Sequence, residues 1–466
     1  MLQRFLAWLD DRSGLITAAR RALEHPVPPR TGWWYVFGSA TFIAFVLQVA
    51  TGIALATAYV PSSGQAYDSL KFISEQALFG RFLRGMHYFG ASAMVLLVGI
   101  HVSRTYLMGA YKYPRELNWL TGAVLLLLTL ALAFTGQLLR WDQNAVWSVI
   151  VGAAQAGRMP VIGGDIARFI LAGDTIGGAT LSRFFAFHVF FIPAIVFAFI
   201  GLHLALVLRH GISERPKKGE HVDPATYRGR YAELLRTQGV PFWPDAAWRD
   251  VVFGAAVVAT IVVLALIVGP PALAKPPDPS ILEAYPRPDW YFLWYFALLA
   301  LAPQSLETFI IVAGPLVFGA VLLLLPLFNR GPRSVRERPL AAVLVVFMWT
   351  VILTFWMAGE RADWSPSFAA PPLPATVVHS TDPVVADGAM LFHEKGCEYC
   401  HAIDGYGGKR GPDLSDVRSR MAPDQLAARI TNGSLNMPAY ARTLTPEQVR
   451  RLVVFLSTRG PASTQP

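Results

Sequence analysis

Cys397-Glu-Tyr-Cys400-His401 sets two thiols and an imidazole within five residues. The chain of 466 residues has two cysteines, both in this motif, so no disulfide framework is possible. Two thiols three positions apart, followed at once by histidine, form the attachment pattern of a c-type haem. The sulfurs make thioethers to the porphyrin vinyl groups and the imidazole supplies a proximal iron ligand. Zinc would require two further Cys or His ligands at close spacing, which His379 and His393 supply poorly. A dithiol redox site would require a βαβ context, and none is visible.

A second constellation lies in the apolar stretches. Four of the ten histidines fall there: His87 and His101 in one, His188 and His203 in another. One buried histidine is usually a satisfied core residue, but intramembrane ionisable groups are costly and four of them point to function. His101 follows His87 by fourteen positions, and His203 follows His188 by fifteen. At about 100° per residue these return to within about 40° and 60° of the same helix face, after a rise of roughly 21–22 Å. Each helix therefore presents one imidazole near each membrane surface, and two facing helices build two bis-histidine sites for two b-type haems. Gly38 and Gly52 are also fourteen positions apart, as are Gly122 and Gly136. Single glycines usually serve helix packing, but two pairs matching the histidine interval fit the faces of a large flat group. Arg84 and Arg104 flank His87 and His101 and suit haem propionates; the alternative for both is snorkelling to the interface.

These residues need membrane helices to position them. The composition is 54% hydrophobic and 15% charged, against about 25% charged in soluble domains. Apolar stretches at about 36–59, 88–109, 119–139, 183–208, 250–270, 308–328 and 339–358 are long enough to span a bilayer. The proline-broken stretch 272–306 reads as a loop packed on protein. The net charge of +9 does not indicate nucleic acid, because Arg and Lys concentrate before the first span and in alternate loops. Arg104, Lys112 and Arg115, the run from Arg209 to Arg249, and Arg330 to Arg338 illustrate this. The positive-inside rule then puts the N-terminus in the cytoplasm and, after seven spans, the C-terminal domain outside. The start, through about residue 30, shows no cleavable leader and reads as an interfacial amphipathic segment. The expectation is an all-α membrane protein: residues 31–216 a four-helix di-haem bundle, 217–360 three more spans, 361–380 a Pro-rich extended linker, and 381–461 a soluble helical haem domain.

Met421 and Met437 are the candidate second ligands of the c-type haem. Met421 reads as a residue ahead of the Pro423 helix start. Met437 lies in Asn432-Gly-Ser-Leu-Asn-Met-Pro-Ala-Tyr440, a turn-rich stretch before a helix opened by Thr445-Pro446. The segment resembles small class I cytochromes c, in which Met-Pro follows a Gly-containing loop, and that favours Met437; a thioether ligand raises the potential.

Residues 31–216 resemble cytochrome b of the cytochrome bc complexes in its short, chloroplast-type form. The resemblance rests on Gln48-Val-Ala-Thr-Gly52, Arg84-x-x-His87, His101-Val-Ser-Arg104, Lys112-Tyr-Pro-Arg-Glu116, Trp141-Asp-Gln143, Pro160-Val-Ile-Gly163, His203 and the fifteen-position interval between His188 and His203. Residues 240–360 resemble its companion subunit, with Pro288-Asp289-Trp290-Tyr291 at the quinol-site motif, and 380–460 a class I cytochrome c. The resemblance implies a quinol–cytochrome c reductase in a bacterial cytoplasmic membrane. Quinol would be oxidised at the outer surface, one electron going to a Rieske iron–sulfur protein and on to a c-type haem. The other would pass through the outer pair (His87, His188) and the inner pair (His101, His203) to the quinone pool at the cytoplasmic face, with proton translocation. A cytochrome c or an oxidase would be the acceptor, and the family forms dimers. Asp289, on the outer side, would accept a quinol proton; as a lone residue it could equally be the N-cap of the helix that Trp290 begins.

The chain departs from the family at several positions. Asp289 stands where Glu is commoner, which in the family accompanies menaquinol. Arg140 stands for a proline, and Gln137 for an aromatic residue. Val36 stands for the cysteine that holds an extra haem in the chloroplast-type protein, so no third membrane haem is expected. Arg209 and His210 are offset from the family's basic residue at the inner quinone site. Two competing readings are a membrane haem conduit to a periplasmic redox enzyme without bifurcation, and a haem-stabilised assembly subunit. Pro288-Asp289-Trp290-Tyr291 favours the reductase, since a conduit needs no outer quinol pocket with a proton acceptor.

Overall fold

The computed structural model describes residues 1–277, 288–328, 331–361, 371–408, 411–434, 437, 439–441 and 444–460. Arg330, Pro438 and residues 362–370 of the expected linker lie outside the described residues. Two amphipathic helices open the chain, α1 (Leu2–Ser13) and α2 (Leu15–Glu24). Gly14, at φ 64°, separates them, in a conformation that suits glycine. The Asp10 carboxylate then accepts from the Thr17 amide (2.8 Å) and hydroxyl (2.6 Å), turning the chain into α2. Strand β1 (Pro26–Val27) pairs antiparallel with β2 (Val240–Pro241) and ties this end to the second half of the chain.

The membrane part comprises α3 (Phe37–Ala56), α4 (Ala66–Glu75), α5 (Gly80–Leu107), α6 (Glu116–Leu138), α7 (Gln143–Gly157), α8 (Gly163–Leu171), α9 (Gly178–Ala186), α10 (Ile192–His210), α11 (Tyr227–Gln238), α12 (Ala247–Ile267), α13 (Trp290–Leu301), α14 (Gln304–Phe328) and α15 (Pro339–Arg361). Seven spans among the described residues are long and apolar enough to cross a membrane, α9 and α10 forming one continuous span, Gly178–His210. The helix from Gly80 begins well before the apolar stretch suggested, because its first two turns carry Arg81 and Arg84. The stretch 272–306 is not all loop: from Trp290 it is the helix α13, packed on α15. The prolines before it masked a twelve-residue apolar run.

Helices α3, α5, α6 and α10 form the bundle. Ala40 and Ala44 of α3 are wholly buried, and such small residues let neighbouring helices approach. Phe45, Met94, Leu97, Ile192 and Val196 fill the centre. The two halves of the membrane part are tied at one end by polar contacts. Arg333 donates to the Glu214 carboxylate (2.6 Å) and carbonyl (2.7 Å), Lys112 to the carbonyls of Gly331 and Pro332 (3.0 Å each), and Arg338 to those of Tyr106 (2.9 Å) and Leu107 (2.8 Å).

The C-terminal domain consists of α16 (Ala375–Val378), α17 (Pro383–Glu394), α18 (Val417–Arg420), α19 (Pro423–Asn432) and α20 (Pro446–Ser457), with a two-residue hairpin of β3 (Ala402–Ile403) and β4 (Tyr406–Gly407). Thr445 caps α20 through the Gln448 amide (3.2 Å), as its sequence predicts. Phe392 and Phe455 meet at 5.7 Å between α17 and α20. Leu373 and Val377, expected in the linker, are buried in this core, so the domain begins earlier than 381.

Candidate functional site

The four glycines and four histidines pair one to one. A Cβ at Gly136 would stand 2.6 Å from the His188 ring, at Gly38 3.0 Å from His101, at Gly52 3.3 Å from His87, and at Gly122 3.5 Å from His203. The expected close approach is thus made by an imidazole, seated across from α3 or α6. His87 and His188 face each other with ring centroids 6.2 Å apart. Two metal–nitrogen bonds of about 2 Å, plus the two ring radii, fill that separation, so the residues present fit an iron between them. His101 and His203 line one cavity at the other end of the bundle.

Three hydroxyls that the motif reading missed orient three of the rings. Thr51, Thr121 and Thr135 each donate to a carbonyl one turn back, on Leu47, Leu117 and Ala131. With its proton so committed, each oxygen accepts from an imidazole Nδ1–H: His87 at 2.9 Å, His203 at 2.9 Å and His188 at 3.2 Å. That tautomer leaves Nε2 free for a metal. Each threonine immediately precedes its glycine, a signal visible in the sequence. Before Gly38 stands Phe37, and His101 Nδ1 has no hydrogen-bond partner among the described residues.

The chain between α9 and α10, Phe187–Phe191, is a π-turn closed by the Ile192 amide on the Phe187 carbonyl. Such a turn accommodates one extra residue. It contains His188 and absorbs the longer interval, bringing His188 and His203 closer to one face than about 60°.

The surroundings differ at the two ends. Around His101 and His203 the cavity also reaches Arg104, Asn118 and Ser213. Arg104 lies over the Tyr35 ring (3.9 Å). Its Nε and Nη2, Asn118 Oδ1 and Ser213 Oγ are buried without hydrogen-bond partners among the described residues. The unsatisfied buried donors of Arg104 and Ser213 beside the two imidazoles suit the carboxylates of a haem. Arg84 is otherwise engaged, donating to Ser74 Oγ (2.9 Å) and the Pro271 carbonyl (2.9 Å).

Asp289 lies at the His87–His188 end. Trp290 Nε1 donates to Ser92 Oγ of α5 (3.1 Å), and the Tyr291 hydroxyl donates to Asp289 Oδ2 (3.0 Å). Asp289 occupies the N-cap position of α13 but its side chain caps nothing; Oδ1 instead faces Arg140 Nη1 at 3.6 Å. The preceding Pro288 is half-buried. The corner that carries Arg140 is rigid. Trp141 takes positive φ (46°) and donates to the Ser63 carbonyl (3.0 Å). Asp142 accepts from the amides of Ala145 (2.9 Å) and Ala274 (3.1 Å). Gln137 is buried and donates to Ser148 Oγ (3.0 Å). One helical turn beyond Tyr291, an apolar cleft opens between α7, α13 and α14, lined by Gly152, Met159, Tyr295, Ile311 and Pro315.

In the C-terminal domain, His401 Nδ1 donates to the Pro412 carbonyl (2.8 Å), again freeing Nε2. Burial holds this imidazole below its usual pKa, against the opposing effect of that hydrogen bond. Gly411 leaves no room for a side chain against the ring. Burial, with Cys400 beside it, pushes the Cys397 thiol up to about 12. Met437, Met421 and Cys397 all pack against the domain's core. Among the described residues no group of three or more His, Cys, Asp or Glu forms a bare metal site.

Four facing imidazoles in a membrane bundle and a Cys-x-x-Cys-His domain define a membrane haem protein. Three family models match in succession: cytochrome b/b6/petB over residues 22–211, the C-terminal part of cytochrome b/b6/petD over 282–370, and cytochrome c oxidase, cbb3-type, subunit III over 383–456. The menaquinol:cytochrome c reductase cytochrome b subunit of Bacillus subtilis is 38% identical over 222 residues, 46% of this chain and 99% of that protein. Cytochrome b6 of Heliobacterium mobile is 39% identical, over 44% and 98%. Cytochrome b of Allochromatium vinosum is 32% identical over 346 residues, 72% and 82%. A solved structure described as a hyperthermophilic respiratory Complex III aligns over 84% of this chain and 96% of its own, with TM-score 0.65 and 25% identity. The chain belongs to the cytochrome b/b6 family. Its domains imply haem b in the bundle and haem c at the C-terminal motif.

Proposed function

We propose that the chain is the quinol-oxidising subunit of a quinol–cytochrome c reductase, fused to its own c-type cytochrome. His87 with His188 and His101 with His203 would hold two b haems, Arg104 lying near the propionates of the second, whereas Arg84 is committed to Ser74 and Pro271. Cys397, Cys400, His401 and Met437 would hold one c haem. When bound, these haems supply reversible one-electron transfer. The observation that carries the reading is the Asp289 carboxylate, held by Tyr291 at the His87–His188 end of the bundle, with an apolar cleft suited to a quinol ring and tail opening one turn beyond Tyr291. Asp289 accepts a proton from the quinol hydroxyl and passes it to water, while Tyr291 fixes the carboxylate's direction. Pro288 and Trp290 set the register of the motif, Trp290 through its bond to α5.

The substrate in this reading is menaquinol, which the name of the Bacillus subtilis relative carries and the shorter Asp289 accompanies. The site faces the periplasm, the N-terminus the cytoplasm of a bacterial inner membrane, and oxidation drives proton translocation. A Rieske protein and a downstream cytochrome c or oxidase are the partners, in a homodimer. Asp289→Asn in the purified complex tests this: quinol–cytochrome c reduction should fall at least about a hundredfold with haem content intact. The wild-type complex, blocked at the cytoplasmic quinone site, should show oxidant-induced reduction of the b haems. Full activity of the variant, or no such reduction in an active complex, overturns the reading in favour of a conduit.

A further inference from the structure

Arg140 ends the α6 segment and sits 149 positions before Asp289, yet its Nη1 lies 3.6 Å from Asp289 Oδ1. Both side chains are largely buried, 19% and 16% exposed. The neighbouring acid, Asp142, does not compete well for this guanidinium. It stands 3.9 Å from Arg140 Nε, and its oxygens already accept the amides of Ala145 and Ala274. Arg140 Nε has no hydrogen-bond partner among the described residues, whereas the nearby Arg84 is committed to Ser74 and Pro271. The Asp289 carboxylate is therefore bracketed, a hydroxyl on Oδ2 and a guanidinium on Oδ1.

We propose that Arg140 is the positioning residue of the quinol site, aiming the Asp289 carboxylate and returning it after each proton transfer; this rests on the reading of Asp289 given above. A side chain one methylene shorter than glutamate reaches less far, and a cation delivered from α6 fixes where it stops. When a quinol O–H bond breaks and its proton joins the carboxylate, the charge that Arg140 attracts is gone and the neutral acid is free to turn towards water. The electrons left on the quinol go to the acceptors of the proposed reductase. Loss of the proton to water restores the carboxylate, and the guanidinium draws it back. The wall of the corner is braced, because Trp141 and Asp142 are held by Ser63, Ala145 and Ala274.

The test uses the complete complex with menaquinol, measuring steady-state kcat and KM and the rate of quinol-driven b-haem reduction, with b-haem content as the folding control. R140M should lower kcat about tenfold or more with little change in KM. R140K, which keeps the charge, should recover a measurable part. R140M/D289N should be no slower than D289N, since Arg140 acts through Asp289. If R140M fails to retain b haem, R140Q replaces it, with the same slowing expected. A wild-type rate in R140M (or R140Q) beside an inactive D289N overturns the role of Arg140 alone. So does a further loss in the double variant. A wild-type rate in D289N overturns the underlying reading of the site.

Discussion

The glycine–histidine pairs yield a graded prediction. Adding one methyl group at Gly136 would put a carbon 2.6 Å from the His188 ring, far inside the 3.4 Å at which ordinary contact begins. The ring has little freedom to retreat, because Thr135 holds its Nδ1. Overpacking of this kind costs about 1–3 kcal/mol, or about five- to a hundredfold in haem retention. At Gly38 the approach is 3.0 Å, a smaller intrusion, and His101 lacks a threonine anchor, so its ring yields more easily. At Gly52 the approach of 3.3 Å falls barely short of ordinary contact, and at Gly122, with 3.5 Å, nothing is crowded. Alanine substitution should therefore deplete b haem in the order Gly136, Gly38, Gly52, Gly122, the last matching wild type. Pyridine haemochrome spectra measure this directly, because the covalent haem of the same polypeptide is an internal standard; wild type should show two b per c. Equal losses from Gly122→Ala and Gly136→Ala would refute the argument, as would full retention with unshifted potentials in Gly136→Ala.

Three further predictions concern other contacts. Thr121→Val removes the oxygen that accepts the His203 Nδ1 proton, making the imidazole a weaker donor to ferric iron; redox titration should show one b haem raised in potential and the other unmoved. Arg333→Met leaves the Glu214 carboxylate without its cation, at a cost of about 3–5 kcal/mol, read as a lower Tm of the detergent-solubilised complex. The same pair sets a pH dependence. Burial pushes the Glu214 carboxyl up, but Arg333 and the Tyr227 hydroxyl outweigh it and hold the group below its usual value. Its contribution is then complete above the ordinary carboxylate range and is lost as pH falls through the lowered value. Wild-type Tm should drop on acidification, and Glu214→Gln should show a flatter profile.

The sequence carries the facing histidines because the helical period is rigid: two intervals close to a whole number of turns fix a face, and two glycine pairs echo them. It carries the Cys397–His401 motif because that chemistry is local. The threonines before Gly52, Gly122 and Gly136 were equally readable, but a hydroxyl in a helix has so many local uses that its partner shows only once the helices pack. The π-turn at His188 leaves no trace beyond the single-position difference between the two intervals. Helix α13 was obscured by the prolines before it, although Trp290 to Leu301 is a clean apolar run. The Arg140–Asp289 pair was out of reach for a plainer reason. It joins the end of one helix to the start of another across two intervening spans, and Arg140 read in isolation was merely a departure from a pattern.

The early start of the C-terminal domain has a consequence for how far it travels. Helix α15 ends at Arg361 and the domain's core already holds Leu373. Between them lie the eleven residues 362–372, whose contour, whatever path they take, is at most about 40 Å. A domain joined by eleven residues stays within about that radius of the end of α15, a half-sphere in which one molecule amounts to a local concentration on the order of 10 mM. Its encounters with a donor on its own complex are then set by geometry and independent of how much protein the cell makes. The fusion keeps the haem domain within one neighbourhood of the membrane part of its own chain.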